Sequence, residues 1–142
     1  DRTSRGLGDV YKRQYLYWGH SMIKQIKSSD IKKFIQDNPN TVLLDVRTED
    51  EWNTVGKPET KDLGIKSYFI TISQDPSFLE NIKKEINKDK QVLVMCAAGG
   101  RSIIAATLLS NEGYTALNIS DGFSGNNQDP GWKNSGLPST NS

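Results

Sequence analysis

Apolar residues fall into short runs that alternate along the chain with stretches whose apolar positions recur at helical spacing. Thr41-Val42-Leu43-Leu44-Asp45-Val46 and Gln91-Val92-Leu93-Val94-Met95 are short, apolar and rich in branched residues, so each predicts a strand buried on both faces. Ile23–Ile26, Ser67–Ile72 and Thr115–Ile119 predict three more strands. Ile31, Phe34 and Ile35 form one stripe behind an N-cap at Ser28 or Ser29, and Asn38-Pro39 stops that helix. Thr48 with Glu51 gives the capping box of a short helix through Trp52. Asp75-Pro76 supplies the N-cap and first-turn proline of a helix that carries Phe78, Leu79, Ile82 and Ile86 along one side. Ile103–Leu109 is apolar almost all round and Gly113 caps it, so it predicts a helix packed between the sheet and other elements. Gly56–Gly64 predicts a surface loop, and the chain from Asp121 onward an irregular segment. Strands alternating with helices predict an α/β fold, a parallel sheet covered on both faces.

A chain of 142 residues holds one domain, and with 35% apolar and 25% charged residues it reads as soluble and globular. Its apolar runs are far shorter than a membrane span. The single cysteine, Cys96, excludes an internal disulfide framework, a four-cysteine zinc site and a Cys-x-x-Cys redox pair, and it points to a reducing cytoplasm. One histidine and scattered carboxylates offer no metal-ligand spacing, so neither metal nor cofactor is expected. Residues Ser4 to Gln14 resemble the read-through translation of a transposon adapter used in preparing sequencing libraries, so residues 1–14 are expected to be a non-biological scar. Met22 is then a candidate start, with Tyr15–Ser21 upstream of it. The scar holds Arg2, Arg5, Lys12 and Arg13 against Asp1 and Asp9, so setting it aside turns a formal charge of +1 into −1. With it goes the case for a nucleic-acid partner.

The chemistry gathers in Cys96-Ala97-Ala98-Gly99-Gly100-Arg101-Ser102, between a predicted strand and a predicted helix. A loop of Ala and Gly can curl until several backbone N–H groups point at one spot, and the helix N-terminus adds its own unpaired N–H groups and dipole. A thiol placed there ionises more easily than the reference value of about 8.5. Gly99 and Gly100 permit positive φ and close approach, Arg101 offers forked donors to an oxyanion, and Ser102 can cap the helix or donate to the sulfur. The only histidine, His20, lies beside the scar, so a Cys–His pair is not the activating device. Asp45 and Arg47 sit at the exit of a central strand, where open α/β sheets place their sites. They either brace the loop through hydrogen bonds or form a surface ion pair, for instance Arg47 with Glu51. Trp52 and Trp132 read as packing or pocket-wall residues, Phe123 as entrance or core, and Lys83, Lys84, Lys88 and Lys90 as a solvated face.

Leu44-Asp45-Val46-Arg47 with Glu51-Trp52, the loop from Cys96 to Ser102, and Asp121-Gly122-Phe123 with Trp132 resemble the rhodanese-like (sulfurtransferase) domain family. The resemblance covers residues 22–138 and leaves 139–142 as a tail. It implies three layers around a central five-stranded parallel sheet. It also implies that Cys96 accepts sulfane sulfur as a persulfide and passes it to cyanide or to a thiol, small or on a protein, with Ala97 to Ser102 holding the donor. Cys96 and Arg101 span six residues, whereas related phosphatases and arsenate reductases use one more to cradle a tetrahedral oxyanion. The shorter loop favours sulfur transfer over that alternative, and a non-catalytic binding module that uses the fold to dock a partner is the third reading. The expected donor is thiosulfate or a persulfide, and because many active relatives carry a basic residue where this chain has Ala97, the persulfide is the favoured one. Neither a nucleic acid nor a membrane is an expected partner.

Overall fold

The computed structural model describes residues 23–140. The suspected scar, Met22 and His20 lie outside the described residues. Five strands form one fully parallel sheet: β1 (Lys24–Ile26), β2 (Thr41–Asp45), β4 (Lys66–Phe69), β5 (Gln91–Met95) and β6 (Thr115–Ile119), in the spatial order β1-β6-β5-β2-β4. The helices are α1 (Ile31–Asp37), α2 (Glu49–Thr54), α3 (Ser77–Glu85) and α4 (Gly100–Asn111). Two further two-residue strands, β3 (Lys57–Pro58) and β7 (Ser139–Thr140), pair antiparallel. The α/β architecture with a five-stranded parallel core is the one expected.

Strand alternation sorts the core into two layers. Val42, Leu44, Val46, Val92, Val94 and Cys96 face Phe78 and Ile82 of α3 and Ala105, Ala106 and Leu109 of α4. Leu43, Leu93, Met95, Leu117 and Ile119 face Ile31 and Ile35 of α1 together with Phe123, Trp132 and Leu137. The second face is thus covered partly by a helix and partly by the irregular C-terminal segment. Trp132 is fully buried there, and its indole N–H donates to the Pro138 carbonyl (2.7 Å). Phe123 is core as well, not an entrance residue.

Local signals placed most elements, with four differences. Ser28 does not cap α1: its N–H and hydroxyl both donate to Asp121 Oδ1 (3.0 and 2.9 Å), and Asp121 Oδ2 accepts from Gly131 N–H (2.9 Å). Asp121 thereby ties the exit of β1 to the C-terminal segment. β4 is shorter than expected because a regular parallel ladder would carry Ile72 N–H to the Arg47 carbonyl. It goes instead to Val46, and the Thr71 hydroxyl takes the Arg47 carbonyl (2.8 Å). The stretch 56–64 is not simply a surface loop, since Gly56, Pro58 and Thr60 are buried. Nor are Ser139 and Thr140 outside the fold: they pair with Pro58 and Lys57. The four lysines do lie on the periphery, with Lys83 bridging to Glu112 (2.7 Å) and Lys90 donating to Asn40 (2.9 Å).

Asp45 and Arg47 form neither a surface pair nor a contact with Glu51. Both side chains are fully buried and paired with each other, Arg47 Nε and Nη2 donating to Asp45 Oδ1 (3.0 Å) and Oδ2 (2.8 Å). Nη2 also donates to the Gly56 carbonyl (2.9 Å), and the guanidinium lies 4.3 Å from the centroid of the Phe123 ring. A side chain at Gly56 (φ +119°) would collide with the Thr140 carbonyl, so the C-terminal strand is seated against this pair. A charge left alone in such surroundings is costly. Arg47→Ala is expected to lower unfolding free energy by about 3–5 kcal/mol, read from the urea midpoint. A loss below about 1 kcal/mol would mean that the pair is not the buried anchor described.

Candidate active site

The strands all run the same way, so Asp45, Met95 and Ile119 end at one edge of the sheet, and the loop after β5 crosses that edge. Met95 O accepts from Val46 N–H (2.9 Å), which fixes where the loop leaves the sheet. Cys96 O then accepts from Phe123 N–H (2.8 Å) and Ala97 O from Ser124 N–H (2.9 Å). These two bonds hold the loop from behind by the segment that follows β6. Close approach makes them possible: a Cβ on Gly122 (φ +59°) would run into the Ala97 carbonyl, and one on Gly99 (φ +106°) into the Ser120 carbonyl. Gly99 is the N-cap of α4. Gly100 is its first helical residue, without positive φ, so only one of the two glycines serves the turn.

The curled loop turns donors onto the cysteine sulfur. Gly99 N–H donates to Cys96 Sγ (3.1 Å), and the hydroxyl of Ser102, in the first turn of α4, lies 3.3 Å from it. Burial pushes the thiol pKa up, but the Ser102 hydroxyl and the backbone N–H groups of Ser102, Ala98 and Gly99 outweigh it and hold the thiol below its ordinary value. Cys96 itself is buried, 1% exposed. The Ser102 hydroxyl has one proton, for which Asn118 Oδ1 competes with the sulfur, and Asn118 Nδ2 donates to the Gly99 carbonyl (3.2 Å) and to Gln25 Oε1 (2.8 Å). Asn118, buried on β6, therefore positions both the hydroxyl and the turn. Sequence reading missed it, because a lone Asn within an apolar strand is the only local signal.

Arg101 departs from expectation. Its fork is already filled: Nη1 and Nη2 donate to Glu51 Oε1 and Oε2 (2.7 and 2.8 Å). Glu51 is the third residue of α2, and its carboxylate also accepts from Thr48 N–H (3.2 Å) and the Thr48 hydroxyl (3.1 Å) in the capping box. The bond from Arg101 is the main cause that lowers the Glu51 pKa from 4.5 to about 2, burial opposing and Thr48 assisting. Trp52 packs edge-on against Phe69, 5.4 Å between centroids. Beyond Arg101 runs a groove of about 500 Å³ walled by Ile72, Phe78, Leu79, Ile104 and Leu108, with Ile104 55% exposed. Arg47 reaches the loop through Phe123, whose ring meets Arg47 and whose N–H holds the Cys96 carbonyl, and the Arg101 pKa, raised chiefly by its bond to Glu51, is raised further by the Asp45 charge. Among the described residues no three His, Cys, Asp or Glu side chains are grouped to hold a metal.

A family model described as the STR4 middle domain matches residues 21–142. Over 137 residues, covering 93% of this chain and 28% of the relative, the sequence is 28% identical to "Rhodanese-like domain-containing protein 4, chloroplastic" of Arabidopsis thaliana. The chain belongs to the rhodanese-like domain family. Uncharacterized protein RP600 of Rickettsia prowazekii (strain Madrid E) is 39% identical to this rhodanese-like chain over 120 residues, covering 82% of it and 97% of the relative. The crystal structure of Rv0390 from M. tuberculosis superposes with a TM-score of 0.71 at 30% identity, covering 84% of this chain and 98% of that one.

Two pH dependences follow. The Cys96 alkylation rate should rise with pH to a midpoint below that of a free cysteine, about 8.5, and then level off. Ser102→Ala should move that midpoint up, because a donor to the charged sulfur is lost; an unmoved midpoint would leave the hydroxyl without a part in holding the thiolate. Because the Glu51 pKa is depressed in the fold, its contribution to stability is complete above the unfolded carboxylate range and disappears as pH falls from 4.5 through about 2. The stability difference between wild type and Glu51→Gln should therefore shrink over that window in denaturant titrations, and a constant difference would contradict the assignment.

Proposed function

We propose that this domain is a sulfurtransferase or persulfide carrier whose nucleophile is Cys96. The observation that carries the reading is the sulfur itself, buried yet facing the Gly99 N–H and the Ser102 hydroxyl, with its pKa held down. In the first step the Cys96 thiolate attacks the outer sulfur of a donor such as R–S–SH. A Cys96 S–S bond forms, the donor's S–S bond breaks, and RS⁻ departs and takes a proton from solvent. In the second step an acceptor thiolate attacks the outer sulfur of the Cys96 persulfide. The acceptor leaves as a persulfide and the Cys96 thiolate is restored, a ping-pong sequence. Cyanide as acceptor would leave as thiocyanate by the same displacement. With a single cysteine there is no second thiol to resolve the intermediate, so the acceptor comes from outside, as a small thiol or a protein. A lone reactive thiol suits a reducing compartment, and the cytoplasm is the proposed setting; no described helix is long and apolar enough to cross a membrane.

The six-residue loop and the filled Arg101 fork both weigh against phosphatase or arsenate-reductase chemistry, which needs a wide cradle and an available guanidinium. Incubation with a persulfide donor should add one sulfur atom to Cys96 by mass spectrometry, and the adduct should vanish on adding a thiol and be absent in Cys96→Ser. A reactive thiol that acquires no sulfur from any donor, or release of phosphate from an aryl ester that depends on Cys96, would overturn the proposal.

A further inference from the structure

The loop's one cationic side chain is neutralised before any substrate arrives. Arg101 and Glu51 meet through two short, parallel hydrogen bonds at a partly open position, with side chains 40% and 26% exposed. Bidentate pairs of this kind are the strong members of their class. The carboxylate does not swing away freely, because Thr48 holds it from the other side within the α2 capping box. Arg47, the other guanidinium near this sheet edge, is buried and committed to Asp45. Positions 97 and 98 are alanines. A sulfur donor therefore finds backbone N–H groups and a helix end, with no uncompensated side-chain charge on the loop.

We propose that Glu51 is the specificity-determining residue of the site, admitting donors whose sulfane sulfur ends a thiol and excluding small dianions such as thiosulfate. The proposal rests on the sulfur-transfer reading above. A dianion gains Arg101 only by displacing Glu51, which leaves that carboxylate beside a second negative charge. A persulfide group has at most one negative charge, carried on the sulfur that the N–H groups can receive, and asks nothing of Arg101. Glutamine at position 51 removes the charge and keeps the cap, since both Glu and Gln complete a capping box.

The test compares the second-order rates at which thiosulfate and an alkyl persulfide with no other ionisable group load sulfur onto Cys96, by mass spectrometry. In Glu51→Gln the thiosulfate-to-persulfide rate ratio should rise at least about tenfold, the order expected when one close like-charge contact is removed. Thr48→Ala takes away the capping hydroxyl but keeps the backbone N–H at 48 and both Arg101 bonds on the carboxylate, so it should lower the melting temperature without the rise in ratio that Glu51→Gln shows. An unchanged ratio in Glu51→Gln, or an equal rise in Thr48→Ala, overturns the proposal and leaves Glu51 a structural residue. So does wild-type protein that thiosulfate loads as fast as the persulfide, a result that needs no variant to fold. If neither donor leaves sulfur on Cys96 in any of the proteins, the sulfur-transfer reading falls and the proposal with it. If sulfur is loaded but the ratio stays put, only the assignment of Glu51 falls.

Discussion

A sulfur atom taken out of water keeps a negative charge only where donors are fixed around it, and residues 96–102 are arranged by that demand. Gly99 adopts positive φ with its N–H on the sulfur, and it has to lack a side chain because the Ser120 carbonyl occupies that space. Gly122 has to lack one for the Ala97 carbonyl. The sheet edge, the start of α4 and the segment after β6 meet at this loop, and each contributes a bond that keeps it curled. The desolvation that would otherwise suppress ionisation is countered by dipoles already in place, so little reorganisation is needed when the thiolate forms.

Charge around the loop is partitioned between two ion pairs with different burdens. Asp45 and Arg47 lie wholly inside, where desolvation makes each indispensable to the other, and their product is rigidity at the Phe123 ring and the Gly56 turn. Glu51 and Arg101 lie at the rim, where water still reaches them and their product is a locally neutral surface. The first pair supports the loop from beneath. The second sets what the loop offers to the solvent side.

Much of this was legible in the sequence, and the omissions have a common cause. The strands, the capping box at Thr48 and the apolar α4 are local signals, carried by residues within a few positions of one another. Cys96, Gly99 and Ser102 were readable for the same reason, since one loop holds them all. What escaped were partnerships across long separations: Arg101 with Glu51, fifty residues apart, and Ser102 with Asn118. Asp45-Val46-Arg47 stays open between a loop brace and a surface ion pair in the sequence, because two charges at a strand exit look solvated until the C-terminal segment is known to cover them. That segment carries no periodicity, yet Phe123, Trp132 and Leu137 each fill the core singly from turns, in a way that neither a period of two nor of 3.6 would reveal.

The two-residue clasp between β3 and β7 gives the far end of the chain a bearing on the chemistry. Thr140 Oγ1 accepts from Lys57 N–H (3.2 Å) and Pro138 O accepts from Glu59 N–H (2.9 Å), and these bonds hold the Gly56 turn whose carbonyl receives Arg47. From Arg47 the mechanical route passes through an aromatic ring to the cysteine's own carbonyl. Residues 138–140 thus act as a keystone set at a distance from the arch it locks, and a change there bears on the tension of the turn that carries Cys96.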